Sequence, residues 1–348
     1  MSNWFDEFAK EVKNDFIVRA DKIDEEENFI DTGSYIFNAL LSGSIFGGMS
    51  ANKITAIAGE SSTGKTFFTL AVCKNFLDQN PDGRIFYIDS ESAITQKLMK
   101  ERDIDVERIY KADCVTVEQF RRQALQVVDK ALATKEKDRT PIMIVLDSLG
   151  MLSTEKETKD IQEGNMVRDM TKSQIIKGAF RVLTSKLGQA NIPMIVTNHT
   201  YDVIGAYVPM KQMGGGSGLK YASTTIVQLS KSQEKDGKEV VGNIIKAKTE
   251  KSRLTKERRQ VEVRLFYDHR GLDRYYGLLD LGIKYGIFET GSNGRVVIGG
   301  KSVYQKNVYQ NPEEYFTEEI MHQLDAAAGL EFKYSNTPLE EEETDGED

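Results

Sequence analysis

The octapeptide GESSTGKT at residues 59–66 follows the apolar run ITAIA and precedes FFTLAV. A strand, a tight glycine loop and a helix start in succession gather backbone N–H groups and the positive end of a helix dipole around one concavity. Such a concavity suits the phosphates of a nucleotide. In this reading Gly59 and Gly64 let the chain wrap, and Glu60, Ser61, Ser62 and Thr63 line the loop. Lys65 reaches the β- and γ-phosphates, and Thr66 holds Mg²⁺. The plain alternative is a surface loop rich in Gly and Ser, which leaves the apolar runs on either side without a reason. The motif specifies a nucleoside triphosphate, but not whether the chain is a kinase, helicase, transporter or recombinase.

The chain has 348 residues, enough for about two domains at roughly 150 residues each. It has no apolar run of about 18 residues, and its start, MSNWFDEFAKEVKNDF, lacks the apolar stretch of a signal peptide. A cytoplasmic protein is expected. The two cysteines, Cys73 and Cys114, have no metal spacing and are expected to be buried thiols. Net charge is −8, but the tail EEEETDGED (340–348) carries seven acids and no base, so the rest of the chain is near −1. Residues 246–264, KAKTEKSRLTKERRQVEVR, hold eight basic and three acidic side chains. That segment is either a local phosphate-backbone surface or a solvated strand and loop.

Four continuous apolar runs read as buried strands: 54–58, 84–89, 141–147 and 192–198. Helix-compatible segments lie between them, notably 118–135 and 166–187. This predicts an α/β fold with a mostly parallel central sheet covered on both faces. Beyond residue 220, TTIVQLS, VVGNIIKAKTEK and RRQVEVRLFYD predict antiparallel strands extending the sheet, with KDGK as a hairpin turn. Small terminal appendages complete the division: a helix and arm over 1–30, the core over 31–270, a C-terminal region over 271–339 and a disordered acidic tail over 340–348. Three strand ends carry polar groups. Asp147 closes PIMIVLD and is placed to orient Mg²⁺. Glu91, in FYIDSES, is placed to take a proton from the attacking water, with Asp89 as its competitor. Asn198 and His199 close the fourth run. Such ends converge where ligands bind in open α/β sheets.

That order of loop, acid, second acid and polar strand end resembles the RecA-type ATPase core. Within it the chain is similar to the UvsX strand-exchange recombinases of T-even-type bacteriophages. The resemblance rests on IDSESAIT (88–95), VLDSLGMLSTEKET (145–158), VRDMTK and FRVLT, NIPMIVTNHTY with MGGGSGLKYAS (191–223), EKSR (250–253) and YYGLLDLGIKYG (275–286). It implies that ATP is the nucleotide and Glu91 the general base. His199 would report the phosphate state to a DNA-binding loop over 200–216, which carries Tyr201, Ile204, Gly214, Gly215 and Gly216. A first DNA loop would cover about 153–166, with Arg168, Lys177 and Arg181 contacting phosphates. Lys251 and Arg253 would reach the ATP of an adjacent subunit. Where bacterial relatives stack an aromatic ring on adenine, this chain has Leu98.

The resemblance therefore implies a DNA-dependent ATPase that forms helical filaments on single-stranded DNA and exchanges strands with homologous duplex DNA. A single-strand-binding protein and a mediator are the implied accessory partners. The alternatives are a hexameric helicase on the same core, and a non-catalytic ATP-switch regulator. The short Gly-rich loop opposes the first; the joint presence of Lys65, Glu91 and Asp147 opposes the second.

Overall fold

The structure, a computed structural model, describes residues 4–12, 17, 28–165, 169–202, 211–236 and 239–334. A helix α1 (Trp4–Glu11) and a strand β1 (Phe29–Ile30) precede α2 (Tyr35–Ser42) and β2 (Met49–Ser50), which pairs with β1. The chain then alternates through β3 (Ile54–Gly59), α3 (Lys65–Gln79), β4 (Arg84–Asp89), α4 (Gln96–Lys100), β5 (Ile109–Asp113), α5 (Val117–Ala133) and β6 (Ile142–Asp147). Next come α6 (Glu155–Gln162), α7 (Lys172–Ala190), β7 (Met194–Asp202), β8 (Lys211–Met213) and α8 (Ser217–Ala222). Three longer strands follow, β9 (Thr225–Asp236), β10 (Glu239–Ser252) and β11 (Gln260–Phe266). The last elements are α9 (Leu278–Lys284), β12 (Glu289–Thr290), β13 (Arg295–Ile298), β14 (Lys301–Tyr304), α10 (Gln305–Gln310), α11 (Pro312–Tyr315) and α12 (Glu318–Phe332).

Nine strands form one sheet in the order β11-β10-β9-β3-β7-β6-β4-β5, with β8 paired to β7 off that path. The six strands from β9 to β5 in that order run parallel, and β10 and β11 extend the sheet antiparallel. The expectation of an extended sheet is met with one correction: β9 itself lies parallel to β3. Thr225 pairs with Thr55 there, because the chain first returns through α8 to the lower end of β3.

Side-chain alternation divides the sheet into two cores. Ile57, Ile85, Tyr87, Val145, Ile195 and Val227 face one side, against α2, α3 and the C-terminal helices. Ala56, Ile88, Ile144, Leu146, Val196 and Ile226 face the other, against α5 and α7. Every residue of β3 is buried, as a central parallel strand requires. α5 starts on a capping box, in which Thr116 accepts from the Gln119 N–H and the Gln119 side chain reaches back. Its Phe120 meets Phe180 of α7 with ring centroids 5.6 Å apart. Both rings are fully buried, so Phe180→Ala should cost about 3–5 kcal/mol in denaturant unfolding. A loss below about 1 kcal/mol would contradict this packing.

The C-terminal elements pack onto the sheet. Leu278, Phe288, Val296, Leu324 and Phe332 join the same core as α2 and α3. Cys73 and Cys114 are buried and free, as expected. Among the described residues no helix is long and apolar enough to cross a membrane. The acidic tail at 340–348 lies outside the described residues.

Candidate nucleotide site and the loops beside it

The phosphate-loop sequence lies where β3 ends and α3 begins. Gly64 has φ 95°, a left-handed conformation open to glycine, and the helix starts at Lys65. A Cβ on Gly59 would stand 2.6 Å from the Thr63 hydroxyl and 2.9 Å from the Leu229 carbonyl, so the loop closes tightly on β9. Lys65 is 7% exposed, and its ammonium donates to the carbonyls of Gly59 (3.1 Å) and Glu60 (2.8 Å). Burial lowers the Lys65 pKa, and the Glu91 and Asp147 carboxylates oppose that shift. The ammonium thus sits folded into an anion cradle, with two acids within electrostatic reach.

Asp147 closes β6. Its carboxylate accepts from Thr66 (2.9 Å), from the buried Tyr87 hydroxyl (2.8 Å) and from Thr197. Thr66 and Asp147 thus form a paired set of hard oxygen donors, which suits a Mg²⁺ that keeps waters and phosphate oxygens as its other ligands. Among the described residues no cluster of three or more His, Cys, Asp or Glu offers a cage of its own. Sequence reading missed Tyr87 and Thr197. Both lie within apolar strand runs, where only the register reveals that they face Asp147.

Glu91 follows β4, and its carboxylate oxygen accepts from the Ser148 hydroxyl (2.6 Å) and from His199 Nε2–H (2.8 Å). Burial works to raise its pKa. The hydrogen bonds from Ser148 and His199 and the Lys65 charge outweigh that, holding the carboxyl below its ordinary 4.5. The competitor, Asp89, is 2% exposed and accepts from the N–H groups of Glu91, Ala93 and Ile94. It shapes the turn that presents Glu91. Of the two acids Glu91 is therefore the one left accessible beside the loop.

His199 stands on β7, opposite Gly59 of β3 in register. Of the DNA loop expected over 200–216, residues 203–210 lie outside the described residues. β7 continues to Asp202 and pairs antiparallel with β8, Tyr201 opposite Gln212. Backbone pairing claims this part of the segment, and Tyr201 remains 56% exposed. Ile204 and Arg168 lie outside the described residues. Gly214 N–H donates to the His199 carbonyl (3.0 Å), and the Asn198 side chain donates to the Gly214 carbonyl (2.9 Å). Gly215 and Gly216 have φ of 79° and 76°, and a Cβ on Gly216 would meet the Ser173 hydroxyl at 2.9 Å. These glycines therefore also serve a tight passage over the start of α7.

The region over 153–166 is likewise not all loop. Thr154 and Glu157 form a capping box that starts α6, and Asp169 accepts from the Thr154 hydroxyl (2.7 Å). The T-x-x-E spacing was the available signal. Lys177 and Arg181 are exposed on α7, and Lys177 lies 5.8 Å from the Tyr221 ring centroid. Lys251 is placed within its own subunit. Its ammonium caps α8 through the carbonyls of Lys220 (2.7 Å), Tyr221 (3.3 Å) and Ser223 (2.7 Å). Arg253 is exposed nearby. The rest of the basic segment is largely engaged internally. Lys246 pairs with Glu262, Arg259 with Glu331 and Arg264 with Asp273, so its formal charge overstates what it offers to a polyanion.

The family model for the RecA N-terminal domain matches residues 2–273. A recombination and repair protein of Enterobacteria phage T4 is 33% identical over 275 residues, covering 79% of this chain and 68% of that protein. RecA of Paracoccus denitrificans is 28% identical over 297 residues, covering 82% and 78%. RecA of Clavibacter michiganensis is 27% identical over 312 residues, covering 86% and 80%.

Proposed function

This chain belongs to the RecA family, and from that premise we propose that it is an ATP-dependent homologous recombinase that coats single-stranded DNA and pairs it with duplex. The observation that carries this reading is the shared strand β7. Its His199 holds the base candidate Glu91 at 2.8 Å, and two residues on it bears the exposed Tyr201 of the β7–β8 hairpin. A DNA strand that shifts the hairpin would shift the hydrogen bond on the base. Nucleotide and DNA states would then be one linked equilibrium.

In this mechanism Lys65 and the loop amides hold the phosphates, and Thr66 and Asp147 would hold Mg²⁺, which when bound would supply positive charge to the phosphate oxygens. Glu91 takes the proton of the attacking water, and Ser148 and His199 fix its orientation. Lys251 would contribute to a neighbouring subunit's ATP only after leaving its cap on α8, so filament assembly and loosening of α8 would go together. Among the described residues Arg253 makes no such cap, so it is the simpler candidate for that contact. Single-strand-binding and mediator proteins are the accessory partners this role calls for.

The contacts to DNA are testable through salt. Each phosphate neutralised on a single strand contributes a slope of about −0.7 in log affinity against log salt. Lys177→Ala should flatten the slope by about that amount while leaving ATP binding intact. An unchanged slope in anisotropy titrations would remove Lys177 from the interface. Electron microscopy of the ATP-bound protein on single strands separates helical filaments from the closed rings of a helicase.

A further inference from the structure

A cavity of about 400 Å³ opens beside α3, lined in part by Phe67, Leu70, Arg102, Leu265 and His269. Two of these walls join it to the phosphate loop. Phe67 directly follows Thr66, and a Cβ on Gly64 would touch Leu265 at 3.1 Å. The volume is at the scale of a small-ligand pocket.

The group that stands out on its wall is Arg102. Its guanidinium lies 4.3 Å from the Phe67 ring centroid and donates to the Leu98 carbonyl at 3.3 Å. Leu98 itself packs against the apolar core. The other three Lys and Arg side chains of the cavity are paired: Lys74 with Asp78, Arg270 with Asp268 and Arg274 with Asp31. Among the described residues Arg102 makes no direct ion pair: partial burial lowers its pKa, and the neighbouring Glu101 charge opposes that through space. A planar cation held on an aromatic ring, lining a nucleoside-sized space next to a phosphate loop, offers a stacking surface.

We propose that Arg102, backed by Phe67, is the nucleobase platform of this site: the base of the bound triphosphate stacks on the guanidinium face. The inference rests on the phosphate-loop reading above. A stacked face reads no donor–acceptor pattern, because every base has a π-face. Base tolerance is therefore the expected specificity.

The test is equilibrium binding of Mg-ATP, Mg-GTP and Mg-CTP to the full chain without DNA. ATP and GTP should bind within about threefold of each other. Arg102→Ala should weaken both by about 5- to 10-fold, and Arg102→Tyr, which restores a planar face without charge, should recover most of the loss. Phe67→Leu should weaken both by about threefold, because the guanidinium loses its support. A preference for ATP over GTP beyond about 100-fold would overturn the proposal, since edge contacts would then govern recognition. So would Arg102→Ala or Arg102→Tyr results in which Ala binds as tightly as wild type or Tyr no better than Ala. Lys65→Ala separates the two levels. If it leaves ATP affinity unchanged, the phosphate-loop reading itself fails; if it weakens ATP while Arg102→Ala does not, the base platform alone fails.

Discussion

Glu91→Gln is expected to lower the turnover of ATP hydrolysis by about 100- to 10,000-fold while ATP still binds. The substitution keeps the shape and an oxygen that can accept from Ser148 and His199, and removes only the ability to take a proton. The pH profile gives an independent check. Glu91 is held below its ordinary 4.5 despite burial, through Ser148, His199 and Lys65. A base with a depressed pKa works above that pKa and is lost as pH falls through it. The acid limb of wild-type hydrolysis should therefore lie below about 4.5, the ordinary glutamate value. His199→Ala removes one of the donors, so the limb should move to higher pH. A Glu91→Gln enzyme with wild-type turnover would return the role to another group. Asp89 would be a poor replacement, because its oxygens already serve the turn over residues 91–94.

Lys65→Ala should abolish hydrolysis to at least a 1,000-fold loss, on the order of the electrostatic stabilisation that phosphate-loop cations supply. It should also weaken ATP binding, which Glu91→Gln should not. Lys65 is buried, and its ammonium donates to two loop carbonyls and, among the described residues, forms no ion pair, so its charge can turn toward incoming phosphates. Removing it also leaves those carbonyls without their donor, at about 1–3 kcal/mol of folding stability at most. Thermal unfolding of the nucleotide-free variant separates that cost from the catalytic loss. Retained turnover in a clean preparation would sink the phosphate-loop assignment.

Strand–loop–helix order was legible because each link has its own chemistry. Gly59 and Gly64 mark a loop that closes on its own carbonyls. The continuous apolar runs mark central parallel strands, since both faces of the sheet are covered. Strand-end positions of Glu91, Asp147 and His199 followed from the same logic, and the structure brings all three toward one loop. What escaped was the partnering. Tyr87, Ser148 and Thr197 hold the two acids, yet nothing local distinguishes them from other strand and turn residues; only strand order places them. The parallel direction of β9 was hidden for the same reason, because it depends on where α8 returns the chain. The basic run over 246–264 misled in the opposite sense. Composition counts charges, whereas pairing with Glu262, Glu331 and Asp273 depends on residues as far as 72 positions away along the chain, from Arg259 to Glu331.

In the proposed mechanism the strand carrying His199 ties the nucleotide site to a DNA-binding segment. Steady-state ATP hydrolysis, measured at one low salt concentration without DNA, with single-stranded DNA and with duplex DNA, tests it most directly. Strong stimulation by single strands is expected, lost in Glu91→Gln and reduced in His199→Ala. A rate indifferent to DNA, in a protein that hydrolyses ATP and binds single strands, would contradict it.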